Sequence, residues 1–206
     1  MPTGTITKKV TAGGLTLQST VTRTEEAVIA QSIALAAGVA GEISSAGVDT
    51  LATGHGILDT DTVDVHWTDA AGVQKCRYGI SVDTVSTNAI TFDDDPAAAG
   101  DALPAENYEV VVSVQTPIEI AFDSAQLMLF AAECTQNAHI NVLNDDPVSV
   151  YALKIAARDV RHWAEGEGID NPFTGEDDDI IDSIVASNGS TTAATLKIVV
   201  MYDSVN

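Results

Sequence analysis

Basic residues are scarce in this chain. Nine lysines and arginines face thirty acids over 206 residues, a net charge of −21. A nucleic-acid binder needs cations that displace counterions from phosphates. So acidic a chain is repelled by DNA, RNA and anionic lipid, and neither nucleic acid nor membrane is expected as a partner. Aromatic residues are also few, at 5%, which leaves little for a sugar-stacking surface. No apolar run approaches the ~20 residues of a membrane span. The two cysteines, Cys76 and Cys134, lie far apart without CxxC or zinc spacing, so two buried free thiols are expected, with one disulfide as the alternative. The four histidines, His55, His66, His139 and His162, show no HxH or HExxH pair. There is no GxSxG, no Cys–His arrangement with local context and no GxxxxGK[ST] loop. These absences point away from an enzyme and lead to an expectation of no catalytic residue, no metal and no cofactor. Lys8-Lys9 is not followed by an apolar signal core, so synthesis in a cytoplasm is expected.

What the chain does have is β character. Its apolar 45% is mostly Ala and Val, a mix that favours sheets over thick helical bundles. In the opening stretch, Gly13-Gly14 reads as a turn, and Leu15, Leu17 and Val21 suggest strand alternation. Glu25 to Ala37 fits two readings. Thr22 and Glu25 match a capping box, with Ile29, Ile33 and Ala36 at helical spacing; yet Ile29, Ile33 and Leu35 also share one face of a strand.

Residues 39–115 form the clearest β module. A Gly-His-Gly turn at Gly54 to Gly56 precedes Val63, Val65 and Trp67, which alternate with Asp64 and His66 as in a half-buried strand. Asp69 to Gly72 reads as a hairpin turn, and Tyr78, Ile80 and Val82 as one face of the returning strand. Short strands closely spaced by turns predict a small antiparallel barrel. In residues 116–206, Ile118, Ile120 and Phe122 alternate, Asp123 to Gln126 suits one helical turn, and His139 to Leu143, Val148 to Ile155 and Leu196 to Tyr202 read as strands. Asn188-Gly189 suggests a tight hairpin turn rather than a glycosylation site.

Three stretches together resemble a family of small tailed-phage virion proteins: GGLTLQSTVTRTEEAVI, IAFDSAQLMLFAAECTQNAHINVL and the ending NPFTGEDDDIIDSIVASNGSTTAATLKIVVMYDS. The middle module, with LATGHGILDTDTVDVHW and RYGISVDTVSTNAITFD, is similar to the small SH3-like barrels of phage proteins. The resemblance implies an all-β fold: an antiparallel, jelly-roll-like β-sandwich built from residues 1–38 and 116–206, interrupted by the barrel at 39–115. It implies a structural role in a virion, as a capsid decoration (cement) protein or a tail component. The expected partners are other copies of the chain and other virion proteins, the major capsid protein foremost. A carbohydrate-binding or adhesion module is the competing class.

Several candidate residues remain. Lys154, Arg158, Arg161 and Trp163 cluster against the acidic background and form a candidate interface with Trp163 as its exposed anchor, since Trp and Arg are enriched at such contacts. The polar, Gly-interrupted stretch Met1 to Leu17 is a candidate arm that reaches a neighbour. Asp59, Asp61 and Asp64 imitate a calcium loop, but Asp64 stands where an EF-hand needs Gly. Glu176 to Asp179 and Asp93 to Asp95 suit a loose divalent-ion site better, with a solvated acidic loop as the commoner outcome. Trp67 is expected in the core.

Overall fold

The computed structural model describes residues 4–12, 15–23, 26–93, 98–144, 149–165, 168, 170–173 and 180–203. Among these residues eighteen strands run in order: β1 (Gly4–Ala12), β2 (Leu15–Arg23), β3 (Glu26–Leu35), β4 (Val39–Ile43), β5 (Gly47–Asp49), β6 (Thr62–Thr68), β7 (Gln74–Val85), β8 (Ile90–Phe92), β9 (Ala99–Gly100), β10 (Glu109–Val114), β11 (Thr116–Ile118), β12 (Phe122–Asp123), β13 (Leu127–Cys134), β14 (Ala138–Asn144), β15 (Ser149–Ile155), β16 (Val160–Ala164), β17 (Ile180–Asn188) and β18 (Ala194–Asp203). The only helical element among the described residues is one 3₁₀ turn, Ser124–Gln126. The fold is therefore all-β and antiparallel, as the sequence led us to expect. The ambiguous stretch is strand β3, not a helix. Its β-branched and apolar side chains find a full-length partner in β18, which pairs with it from Leu35↔Ala194 to Glu26↔Asp203.

That pairing explains the architecture. A strand from before the barrel lies beside the last strand of the chain, in a four-stranded sheet of order β16-β13-β18-β3. A second sheet has the order β11-β17-β14-β15, with β12 also on β17. The two sheets enclose a core built on Leu35, Ile118, Ile140, Ile184, Leu196 and Ile198. Strands β4 to β10 close into a six-stranded ring, since β6 pairs with both β10 and β7, while β9 adds to β7. The ring has its own core, including Val48, Val63, Val65, Trp67, Ile80 and Val112. Asn188-Gly189 corrects one expectation. It does not close a hairpin, because β17 and β18 belong to different sheets and the chain crosses between them.

Three of the four phenylalanines lie in the sandwich core. Phe173 is fully buried, with its ring centroid 4.9 Å from Phe130, 4.8 Å from Tyr151 and 6.2 Å from Phe122. The Asn171 side chain accepts a bond from the Phe173 amide, which turns the Asn-Pro-Phe loop inward so that it plugs the core. Truncating a fully buried ring leaves a cavity that the surrounding core side chains refill only in part. Phe173→Ala should therefore cost about 3–5 kcal/mol of stability, to be read from urea unfolding; a loss under 1 kcal/mol would show that the plug is dispensable.

Candidate functional site: a buried polar seam between barrel and sandwich

Seven polar side chains are buried among the described residues: Asp64, His66, Ser113, His139, Asn141, Ser187 and Asn188. Asp64, His66, Ser113, His139, Ser187 and Asn188 meet where the barrel meets the sandwich. Their position follows from strand alternation. On β14, Ala138, Ile140 and Val142 point into the sandwich core, so His139 and Asn141 point outward. On β17, Ser187 pairs opposite His139 on the same outer face. On β6, Val63, Val65 and Trp67 fill the barrel, so Asp64 and His66 also point outward. The sequence expectation of a half-buried β6 fails for this reason: its polar face is covered by the sandwich, and Asp64 and His66 are only 1% and 2% exposed.

A β-bulge places the third wall. Val63 pairs with Ile80 but Val65 pairs with Arg77, so Tyr78 and Gly79 together oppose Asp64. Gly79 takes φ 74°, the left-handed region that glycine tolerates. The extra residue reverses the facing of β7. Cys76 and Tyr78 turn toward the seam, whereas Ile80 and Val82 turn into the barrel. The expected common face of Tyr78, Ile80 and Val82 is thus broken. Tyr78 stacks on His139 instead, with centroids 4.4 Å apart.

Asp64 is the hub. Its Oδ1 accepts from the Gly79 amide at 3.0 Å and from Gln115 Nε2 at 2.8 Å. Its Oδ2 accepts from Ser187 Oγ and lies 3.4 Å from His139 Nδ1. Burial alone would raise this carboxyl, but His139, the His66 charge and the Ser187 bond together hold it below the usual carboxylate range. The Ser187 hydroxyl spends its proton on Asp64, so His66 Nε2, 2.9 Å from Ser187 Oγ, must donate to it. The residue types are those of a hydrolase triad, but the order is not. Serine sits between acid and histidine, and the histidine donates to the hydroxyl rather than taking its proton. This chain of bonds joins two surfaces.

Other bonds bring the linkers into the seam. Ser113 Oγ donates to the Asn188 carbonyl, Asn188 Nδ2 donates to the carbonyls of Ala36 and Thr192, and the Gly38 amide donates to Ser190 O. A methyl group on Gly38 would lie 2.4 Å from both Ser113 Oγ and Val111 Cγ1, so the linker must be glycine to approach this closely. At the rim, Asp101 of the barrel accepts from Lys75 at 3.2 Å, from Lys154 of β15 and from the Cys76 amide. Burial opposes ionisation there, but these donors hold the Asp101 carboxyl down to about 2.

The four candidate interface residues do not form one surface. Lys154 is engaged within the chain, at Asp101. Trp163 is 8% exposed and packs in the sandwich core, which corrects its reading as an exposed anchor. Arg158 is exposed in a turn at φ 63°, and Arg161 pairs with Asp159 at 3.1 Å. Trp67 is a barrel-core residue as expected, at 8% exposure. His55 caps its own turn, accepting from the Ile57 amide at 3.1 Å. Cys76 and Cys134 are both free and buried. The acidic candidates Glu176 to Asp179, with Asp94 and Asp95, lie outside the described residues. Sequence reasoning missed the seam because its members come from four strands. The signal present was that β6 and β14 each carry a histidine on the face opposite their apolar residues.

A groove of about 710 Å³ opens at one end of the seam, lined among others by His66, Trp67, Tyr108, Asn137 and Gly189. Burial holds the His66 imidazole down to about 4, with the Asp64 charge opposing and the His139 charge adding to the depression. The unfolded imidazole titrates near 6.5. Between those values the unfolded chain binds more protons, so the His66 contribution is complete above pH 6.5 and is lost as pH falls toward 4. Unfolding free energy should drop by about 3 kcal/mol across that window, with the drop abolished in His66→Gln; an equal drop in that variant would assign the titration elsewhere. Comparison with protein families, with curated proteins and with solved structures finds no match.

Proposed function

We propose that this chain is a structural component of a bacteriophage particle, a capsid decoration (cement) protein that acts by symmetric contacts with its own copies and with the shell protein. The observation that carries the reading is the β1–β2 hairpin. Its two nine-residue strands pair from Gly4↔Arg23 to Ala12↔Leu15 and form a sheet of their own. The candidate arm is therefore a paired ribbon roughly 30 Å long rather than a single extended segment. An isolated two-stranded hairpin is marginal in water, so it gains stability by lying against a neighbour.

The surface beside it suits such contacts. Strand β3 is a ten-residue edge with no proline, and its outer side joins no other strand among the described residues. Edges of this kind readily accept a further strand. Across the outer face of the same sheet, Ala30, Val199 and Ala131 lie in one row, bordered by Val28 and Val160, which are 41% and 54% exposed. Solvent-facing sheet surfaces are ordinarily polar. The charges that border this row, Glu133 and Lys197, pair with each other at 3.9 Å, so at −21 per chain, where copies repel one another over the rest of their surface, salt should favour association through this face.

The test compares the full chain with a variant lacking residues 1–23, by sedimentation and electron microscopy at low and high salt. The whole hairpin must go, because removing β1 alone would leave β2 as a raw edge. Closed trimers or hexamers that strengthen with salt and disappear in the deletion, with the β-sheet circular dichroism retained, support the reading. Stacked rings would favour a tail-tube component instead. A full chain that stays monomeric at every concentration, or a deletion that assembles normally, would sink it.

A further inference from the structure

The geometry points to a transition-metal site of the zinc type, formed by Asp64, Cys76 and His139, that ties the barrel to the sandwich. Asp64 and Cys76 come from barrel strands β6 and β7, and His139 from sandwich strand β14. One ligand atom from each lies within 4.8 Å of the others, and the three residues are 1%, 0% and 1% exposed. Asp64 Oδ2 and His139 Nδ1 are 3.4 Å apart. Two ligands on one tetrahedral zinc, with bonds of about 2.05 Å, sit roughly 3.35 Å apart. A thiolate on the same ion stands roughly 3.6 Å from its neighbours, so Cys76 Sγ needs to move by at most about an ångström.

An independent observation supports the site. Neither ring nitrogen of His139 has a hydrogen-bond partner among the described residues, although the side chain is buried. A buried polar atom left unsatisfied is costly, and a coordinated ion would satisfy Nδ1. The surroundings suit coordination. Gly79 and Gln115 hold Oδ1 of Asp64 and so leave Oδ2 oriented toward the ion, while Tyr78 fixes the imidazole plane. Mixed oxygen, sulfur and nitrogen ligands select zinc or cobalt over calcium and magnesium, which require oxygen.

Charge also balances. On binding, the Cys76 S–H bond breaks, a sulfur–metal bond forms, and the proton leaves to solvent. The thiolate and the Asp64 carboxylate then neutralise the dication, which makes the cluster tolerable in a buried position. The site is closed, so the ion enters as the chain folds or as the seam opens toward the groove lined by His66, Asn137 and Gly189.

The full chain, refolded from chelator-treated stock, should be titrated with Co²⁺ and then Zn²⁺. The expected result is one ion per chain and a thiolate-to-cobalt charge-transfer band that Zn²⁺ abolishes. One proton should be released per ion. Zn²⁺ should raise Tm, whereas Ca²⁺ should not. Cys134→Ser should keep the band, and Cys76→Ser and His139→Gln should lose it. Failure of the wild-type chain to bind one equivalent, even when refolded in Zn²⁺, would overturn the proposal. So would a band that survives in Cys76→Ser or disappears in Cys134→Ser. The wild-type and Cys134→Ser measurements decide the matter even if the other two variants do not fold.

Discussion

The Asp64 carboxylate is the constraint on which the rest of the structure depends. It is almost fully buried between two β bodies, and an unpaired charge there would be untenable. Each donor that makes it tolerable is supplied by a different feature of the fold. The bulge at Gly79 frees an amide for it, the last residues before the sandwich bring Gln115, and β17 brings Ser187, while β14 sets the His139 ring 3.4 Å away. The carboxylate thereby makes the relative placement of barrel and sandwich specific. An apolar contact of the same area would tolerate sliding, whereas hydrogen bonds to one carboxylate are satisfied in a single arrangement.

The division of labour between apolar and polar groups follows from composition. A chain dominated by Ala and Val, with few aromatics, builds thin cores. It makes two of them, one between the sheets and one inside the barrel, and spends three of its four phenylalanines in the larger. What joins the two is polar. The linkers take part, since Gly38, Ser113 and Asn188 bond across the junction where the chain passes between bodies. Asp64 is the one acid buried among the described residues, so the net charge of −21 is carried by the other acidic side chains.

Much of this was legible in the sequence. Period-two alternation and dense turn signals gave the strands of the barrel, and the β-branched run in β3 was compatible with the strand that formed. The turns at Gly54 to Gly56 and Asp69 to Gly72 were readable because their residues act locally: Asp69 accepts from the amides of Ala71 and Val73 in its own turn. Readings that depended on what lies opposite a strand failed. Trp163, flanked by charged residues, looked like an exposed anchor, yet β16 turns it into the core. Asn188-Gly189 looked like a hairpin, yet its flanking strands enter different sheets.

By itself, then, the sequence determined the all-β class, the strongly acidic charge balance, the local turns and the side chains able to make a core. These depend on composition and on neighbours within a few residues. The seam was decided only by the tertiary structure. Asp64, Cys76, His139 and Ser187 are far apart in sequence, and no spacing rule links them. They converge because a one-residue bulge reverses the facing of β7 and because the barrel covers the outer face of the second sheet. Burial of a strand's second face is a property of what packs against it, which alternation along the chain does not encode.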